Sequence, residues 1–177
     1  MRANPESTFF LEVYLFSFSI MENFITNNQL AALGEKYRHE GKRLVLTNGC
    51  FDLLHTGHVR YLEQARQLGD VLLIAVNSDR SVRELKGPTR PLNNEHDRAE
   101  VLAALRCVDY VTIFDALRVS DVIQKLKPAI YAKGGDYTPE TLDPEEREVL
   151  EECDTVIEIL PLVQDRSTTR LIESLRS

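Results

Sequence analysis

A chain of 177 residues suits one domain around a single hydrophobic core and leaves little room for a second. Its composition, 43% hydrophobic and 28% charged with 8 Gly and 7 Pro, excludes fibrous and disordered classes. The net charge of −7, from 28 acidic and 21 basic residues with no Lys/Arg run, argues against nucleic acid as a partner, yet local cations can still hold a small phosphorylated substrate.

Residues 1–20 hold an apolar patch of Phe9, Phe10, Leu11, Val13, Tyr14, Leu15, Phe16, Phe18 and Ile20. It contains Glu12, carries Arg2 as its one basic residue, lacks a small-residue cleavage site and is too short to span a bilayer. A signal peptide is therefore the minority reading. The expectation is a dispensable extension, a start-site artefact ahead of Met21, followed by one domain over 21–177.

From Thr26, a plausible N-cap, residues 26–40 predict an amphipathic helix with Leu30, Leu33 and Tyr37 on one side and Gly41 as its stop. A short strand is expected at 43–47, and the Asn48-Gly49-Cys50-Phe51-Asp52 turn leads into a helix over about 58–68, closed by Gly69. Residues 71–77 show no polar alternation, the pattern of a parallel strand buried on both faces. Then come a loop at 78–92, a helix over about 94–105, a strand at 110–114, a helix over 120–126 and a strand at 129–133. After the Gly134-Gly135-Asp136-Tyr137 turn, a helix opens at Asp143-Pro144, a strand spans about 155–160, and a last helix is capped near Ser167. Five strands alternating with helices predict an α/β, Rossmann-like sandwich: a mainly parallel five-stranded sheet, helices on both faces, and ligands beyond the carboxyl ends of the strands.

Cys50, Cys107 and Cys153 form neither a Cys-x-x-Cys pair nor a metal-ligand spacing with histidine. A disulfide frame and a protein metal site are therefore not expected, and a reducing cytoplasm is the expected setting.

Chemistry concentrates in Thr47-Asn48-Gly49-Cys50-Phe51-Asp52-Leu53-Leu54-His55-Thr56-Gly57-His58, between the first strand and its helix. Exposed amides at a helix N-terminus favour an anion, and two imidazoles separated by Thr56-Gly57 add donors for phosphate oxygens. Gly49 and Gly57 permit close backbone approach. A His-x-x-His pair elsewhere would be read as ordinary helix-start polarity, and this location reverses the balance. Lys133 with Gly134-Gly135, just past a buried strand, sets a cation and permissive backbone where a nucleotide can meet them.

The His55-Thr56-Gly57-His58 signature resembles that of the cytidylyltransferase-like nucleotidyltransferase superfamily. With Asn77-Ser78-Asp79, Leu85-Lys86-Gly87, Arg90-Pro91, Lys133-Gly134-Gly135-Asp136-Tyr137 and Ser167-Thr168-Thr169, the chain resembles D-glycero-β-D-manno-heptose 1-phosphate adenylyltransferases over about 26–175. The resemblance implies in-line attack of a sugar phosphate on the α-phosphorus of ATP, with pyrophosphate leaving, no covalent intermediate and no organic cofactor. Mg²⁺ would arrive with ATP. His55 and His58 would contact the triphosphate, with His58 stabilising charge in the transition state; Asn48, Gly49 and Phe51 would line the nucleotide cradle. Lys42 would reach a phosphate or remain a solvated lysine, and Ser167, Thr168 and Thr169 would bind the leaving phosphates or act as a plain N-cap.

Arg90 would hold a phosphate through its forked guanidinium; Arg98 would do the same or pair with a surface acid such as Glu95. Asp79 and Asp136 would shape the pocket and Asp52 would orient a histidine, or each would serve as a turn acid. The resemblance further implies ATP and a phosphorylated sugar as partners, a separate sugar kinase, a homodimer as in many relatives, and a bacterial cytoplasm supplying surface heptose glycans.

Asp115-Ala116-Leu117 stands where heptose enzymes often carry an acidic-Thr-Pro segment, which loosens the sugar assignment. Two other readings remain: a glycerol-3-phosphate-type cytidylyltransferase and a non-catalytic nucleotide-binding module. Asp165-Arg166-Ser167-Thr168 departs from the Arg-x-x-Gly-Ile-Ser-Thr run of the former, and the intact histidine pair weighs against the latter.

Overall fold

The computed structural model describes residues 22–135 and 141–161. Five strands, β1 (Leu44–Gly49), β2 (Val71–Asn77), β3 (Tyr110–Phe114), β4 (Ile130–Gly134) and β5 (Val156–Leu160), pair in the order β3-β2-β1-β4-β5, every pair parallel. Among the described residues the helices are α1 (Leu30–His39), α2 (Thr56–Gln67), α3 (Asp79–Lys86), α4 (Glu95–Ala103), α5 (Ser120–Leu126) and α6 (Pro144–Glu152).

Strand side chains alternate between faces, so each apolar strand feeds two cores. Leu44 and Leu46 of β1 with Val71, Leu73 and Ala75 of β2 meet Leu30, Leu33 and Tyr37 of α1, Val122, Ile123 and Leu126 of α5, and Leu150 of α6. On the other face Val45, Leu72, Ile74 and Val76 meet Tyr61, Leu62 and Ala65 of α2 and Ala99 and Leu102 of α4. All seven residues of β2 are buried, which explains its unbroken apolar run. The sandwich is the one expected, with its sheet wholly parallel.

Local chemistry sets the boundaries. Gln29 Oε1 accepts from both Thr26 N and Thr26 Oγ1, and the first turn, Asn27–Gln29, is a 3₁₀ turn, so α1 begins later than its periodicity suggests. Asn94 caps α4 by accepting from the backbone of His96 and Asp97. Asp143 caps α6 by accepting from Glu145 N, with Pro144 in its first turn. β1 runs on through Gly49, because Asn48 and Gly49 stay in register with Ala75 and Val76.

The stretch 78–92, expected as a loop, contains α3. Ser78 accepts from Ser81 N as its cap, but Ser81 and Val82 are the helix's buried residues, too few to write a hydrophobic period into the sequence. The predicted last helix near Ser167 and the turn residues Asp136 and Tyr137 lie outside the described residues. Among the described residues no helix is long and apolar enough to cross a membrane.

Candidate active site

The connections from β1 to β3 carry the chain toward one edge of the sheet, and β4 and β5 lie on the other side of β1. The boundary between β1 and β4 is thus the topological switch point, where the strands' carboxyl ends open a crevice. Asn48 and Gly49 end β1 there, and Lys133 and Gly134 end β4.

His55 is the N-cap of α2: its backbone is extended and its Nδ1 accepts from His58 N at 3.3 Å. The helix consequently begins at Thr56, two residues before its expected start. The rings of His55 and His58 stack, centroids 3.8 Å apart and planes 18° apart, while Phe51 meets His58 edge-on at 5.4 Å. Burial, then the neighbouring His55 and the charge of Lys86, pull His58 down to about 4, so its imidazole is neutral at pH 7. His58 Nδ1 is buried with no hydrogen-bond partner among the described residues. One turn further along α2, the Tyr61 hydroxyl is 2.7 Å from Thr47 Oγ1 and donates to the Ala132 carbonyl at 2.9 Å, pinning the start of α2 to β1 and β4.

Phe51 adopts a left-handed backbone, φ 45°, and is buried beside His58. A Cβ on Gly49 would press on the Phe51 ring, at 3.0 Å from Cε2, so this glycine makes room for the phenyl group as well as for the chain turn. Across the crevice, Asn48 Oδ1 accepts from Lys133 Nζ at 2.9 Å and from the Tyr131 hydroxyl at 2.8 Å. Burial pulls the Lys133 ammonium below its usual range, against the opposing attraction of Glu146.

A second layer of polar contacts holds the β1 loop in place, and here the structure corrects the sequence reading. Asp52, expected to orient a histidine or to serve as a turn acid, is 2% exposed; its carboxylate pairs with Arg90 Nε and accepts from Leu92 N at 2.7 Å and Asn93 N at 3.1 Å. Arg90, expected on a phosphate, has its Nε committed to this anchor. Arg98, read as a phosphate ligand or a partner of Glu95, is buried at 2% exposure and donates to the carbonyls of Cys50, Asn77 and Asn93 and to the Asp79 carboxylate. A planar guanidinium with five donors can satisfy several loop carbonyls at once, which explains both its burial and its place. Glu95 takes Asp79 N instead.

Lys42 is not brought to the site. It stands before the amino end of β1, exposed and paired with Glu40 at 2.7 Å. At about 3.3 Å per residue, the strand puts it roughly 20 Å from the crevice. Asp136, Ser167, Thr168 and Thr169 lie outside the described residues.

Sequence reasoning overlooked Tyr61, Tyr131 and Glu146. A tyrosine inside a buried strand implies a partner for its hydroxyl, a signal that Tyr131 does carry. Glu146 has none, because it sits among Glu145, Glu148, Glu151 and Glu152, all exposed, and it alone of these is buried.

A parallel α/β sheet with a histidine pair starting a helix at its switch point, and a partly buried lysine on the neighbouring strand end, defines a nucleotidyltransferase. The chain belongs to the cytidylyltransferase-like family, whose model matches residues 46–174. It is 54% identical over 144 residues to the bifunctional protein HldE of Pelobacter propionicus, covering 81% of this chain and 29% of that one. With HldE of Syntrophotalea carbinolica it shares 52% over 139 residues, 78% of this chain and 28% of the relative, so the chain spans less than a third of these curated relatives. A lipopolysaccharide core biosynthesis protein from Thermoplasma volcanium is a structural neighbour, with a TM-score of 0.57 and 26% identity over 71% of this chain and all of that one.

Proposed function

We propose that the chain is an adenylyltransferase that moves AMP from ATP to D-glycero-β-D-manno-heptose 1-phosphate, giving ADP-heptose and pyrophosphate. The observation that carries this reading is the stacked His55–His58 pair opening α2 after β1 together with partly buried Lys133 at the end of β4, the two strands that flank the switch point. The motif resemblance supports adenine and a heptose phosphate, and the name of the structural neighbour supports the same branch of chemistry.

In this reaction an oxygen of the sugar phosphate attacks the α-phosphorus in line. The bond from that phosphorus to the bridging oxygen breaks, and pyrophosphate leaves with the electron pair. The nucleophile is already ionised near neutral pH, so positioning and charge neutralisation are what the protein supplies. A neutral His58 donates one N–H to a phosphate oxygen, and the arriving negative charge raises its hold on a second proton. Lys133 offsets charge on the transferring group, Asn48 and Gly49 line the cradle, and Ser167, Thr168 and Thr169 receive the leaving phosphates. Mg²⁺ enters as part of the MgATP substrate. Residues 1–20 are dispensable to this activity, which proceeds in a bacterial cytoplasm.

The test is pyrophosphate release with ATP or CTP against the heptose 1-phosphate or glycerol 3-phosphate. We expect release with ATP and the heptose phosphate, reduced by about 10²–10³ in kcat in His58→Ala, the usual loss for one charge-stabilising donor. Release with CTP and glycerol phosphate alone would overturn the substrate assignment, and silence in every combination would overturn the activity.

A further inference from the structure

Glu146 lies in the first turn of α6 and is 5% exposed. A buried carboxylate is costly unless paired, and among the described residues the partners of this one lie toward the switch point and the start of α5. Its Oε2 is 3.7 Å from Lys133 Nζ and 3.2 Å from the Tyr131 hydroxyl, and its Oε1 accepts from Val119 N at 3.5 Å. Lys133, with its side chain 13% exposed, also donates to Asn48 Oδ1 at 2.9 Å and stands 5.3 Å from the Tyr131 ring. The ammonium is therefore gripped from two directions, by β1 through Asn48 and by α6 through Glu146.

Buried ion pairs add little net stability compared with apolar packing, so this one is better explained by what it does to the lysine. We propose that Glu146 is a positioning residue for the transferase: resting on the reading above, it aims Lys133 Nζ at the β1/β4 crevice and keeps it cationic, with Tyr131 and Asn48 bracing the same atoms. Among the described residues, the groups that bear on Lys133 include Glu146 from α6, Arg118 from the loop before α5, Cys50 and Asn48 from β1 and its loop, and Tyr131 from its own strand. Burial and Arg118 favour the neutral amine, while Glu146 is the chief opposing charge. Removing the carboxylate charge leaves the smaller influence of Cys50 against burial and Arg118.

The experiment compares wild type with Glu146→Gln and Glu146→Asp. In Glu146→Gln we expect kcat at pH 8 to fall at least tenfold with KM for ATP within about threefold, and the alkaline limb of the rate profile to move down by one pH unit or more. Glu146→Asp should recover most of both. In parallel, [¹³Cε]lysine NMR of the ligand-free proteins, with Lys133→Arg used for assignment, follows the Lys133 midpoint without any turnover. An unmoved midpoint and profile in folded Glu146→Gln overturns the inference; if that variant does not fold, a wild-type Lys133 midpoint below pH 7 overturns it, because the amine would then be neutral beside an intact Glu146. A wild type that releases no pyrophosphate while the Lys133 midpoint still drops in Glu146→Gln overturns the proposed function and leaves the Glu146–Lys133 coupling standing.

Discussion

His58 gives the site a pH signature that follows chiefly from burial, with His55 and Lys86 adding to it. In the unfolded chain its imidazole titrates near 6.5, and in the folded protein near 4, with desolvation as the first cause. Above pH 6.5 both states leave it neutral and it costs nothing. As pH falls from 6.5 toward 4 the unfolded chain takes up a proton that the folded one refuses, so stability declines through that window, by at most about 3 kcal/mol. Urea denaturation across pH 4–7 should show this decline in wild type and a shallower one in His58→Gln; parallel curves would mean that His58 is not desolvated. Lys42 offers the opposite kind of test. Since it sits at the amino end of β1 with Glu40, Lys42→Ala should leave kcat/KM for pyrophosphate release within about twofold. A tenfold loss would show that it reaches a phosphate after all. Both histidines were legible in the sequence because their chemistry is local: spacing and a helix start suffice to place them together. The fate of Asp52 was not, because its partners, Arg90, Leu92 and Asn93, come from about forty residues further along.

At the scale of elements, α1 and α5 meet where backbone comes close to backbone. Gly34 of α1 faces the end of α5, where a Cβ would collide with the Leu126 carbonyl oxygen. Arg38, one turn on, donates to that carbonyl at 2.8 Å and to Lys127 O at 3.1 Å, capping α5 where Lys127 turns left-handed, φ 47°. Gly34→Ala should therefore destabilise the protein by about 1–3 kcal/mol in urea denaturation, although alanine is the better helix former. A gain in stability would mean that the two helices part freely. The Asp52 anchor joins the loop after β1 to the segment before α4. Asp52→Ala leaves Arg90 without its carboxylate and two backbone amides without an acceptor, and should cost about 3–5 kcal/mol, read from the same denaturation curves. A loss below 1 kcal/mol would show that the segment is held by other contacts. Five strands and the helices between them could be read from apolar runs and caps. α3 escaped because a helix with two buried residues writes no period into its sequence.

For the whole molecule, the crevice at the switch point makes nucleotide binding and folding one linked equilibrium. MgATP at a hundred times its Kd should stabilise the domain by about 2.7 kcal/mol, raising Tm by roughly 5–10 °C, and each further tenfold in MgATP should add about 1.4 kcal/mol. A Tm unchanged by MgATP would remove the nucleotide site from this crevice. By itself the sequence determined the α/β alternation, the buried parallel strands and the location of the helix start that carries the histidine pair. These depend on neighbours within a turn or a strand, where periodicity, capping and the preferences of Gly, Pro and His act directly. Tertiary structure alone decided that β4 lies beside β1 and so brings Lys133 to Asn48. It also decided that Arg98 and Asp52 serve the scaffold, that Lys42 stands at the far end of the sheet, and that Glu146 is buried while the glutamates around it face water. Each of those outcomes is set by groups far apart in the chain that meet in a desolvated space, where a charge must find a partner or be excluded.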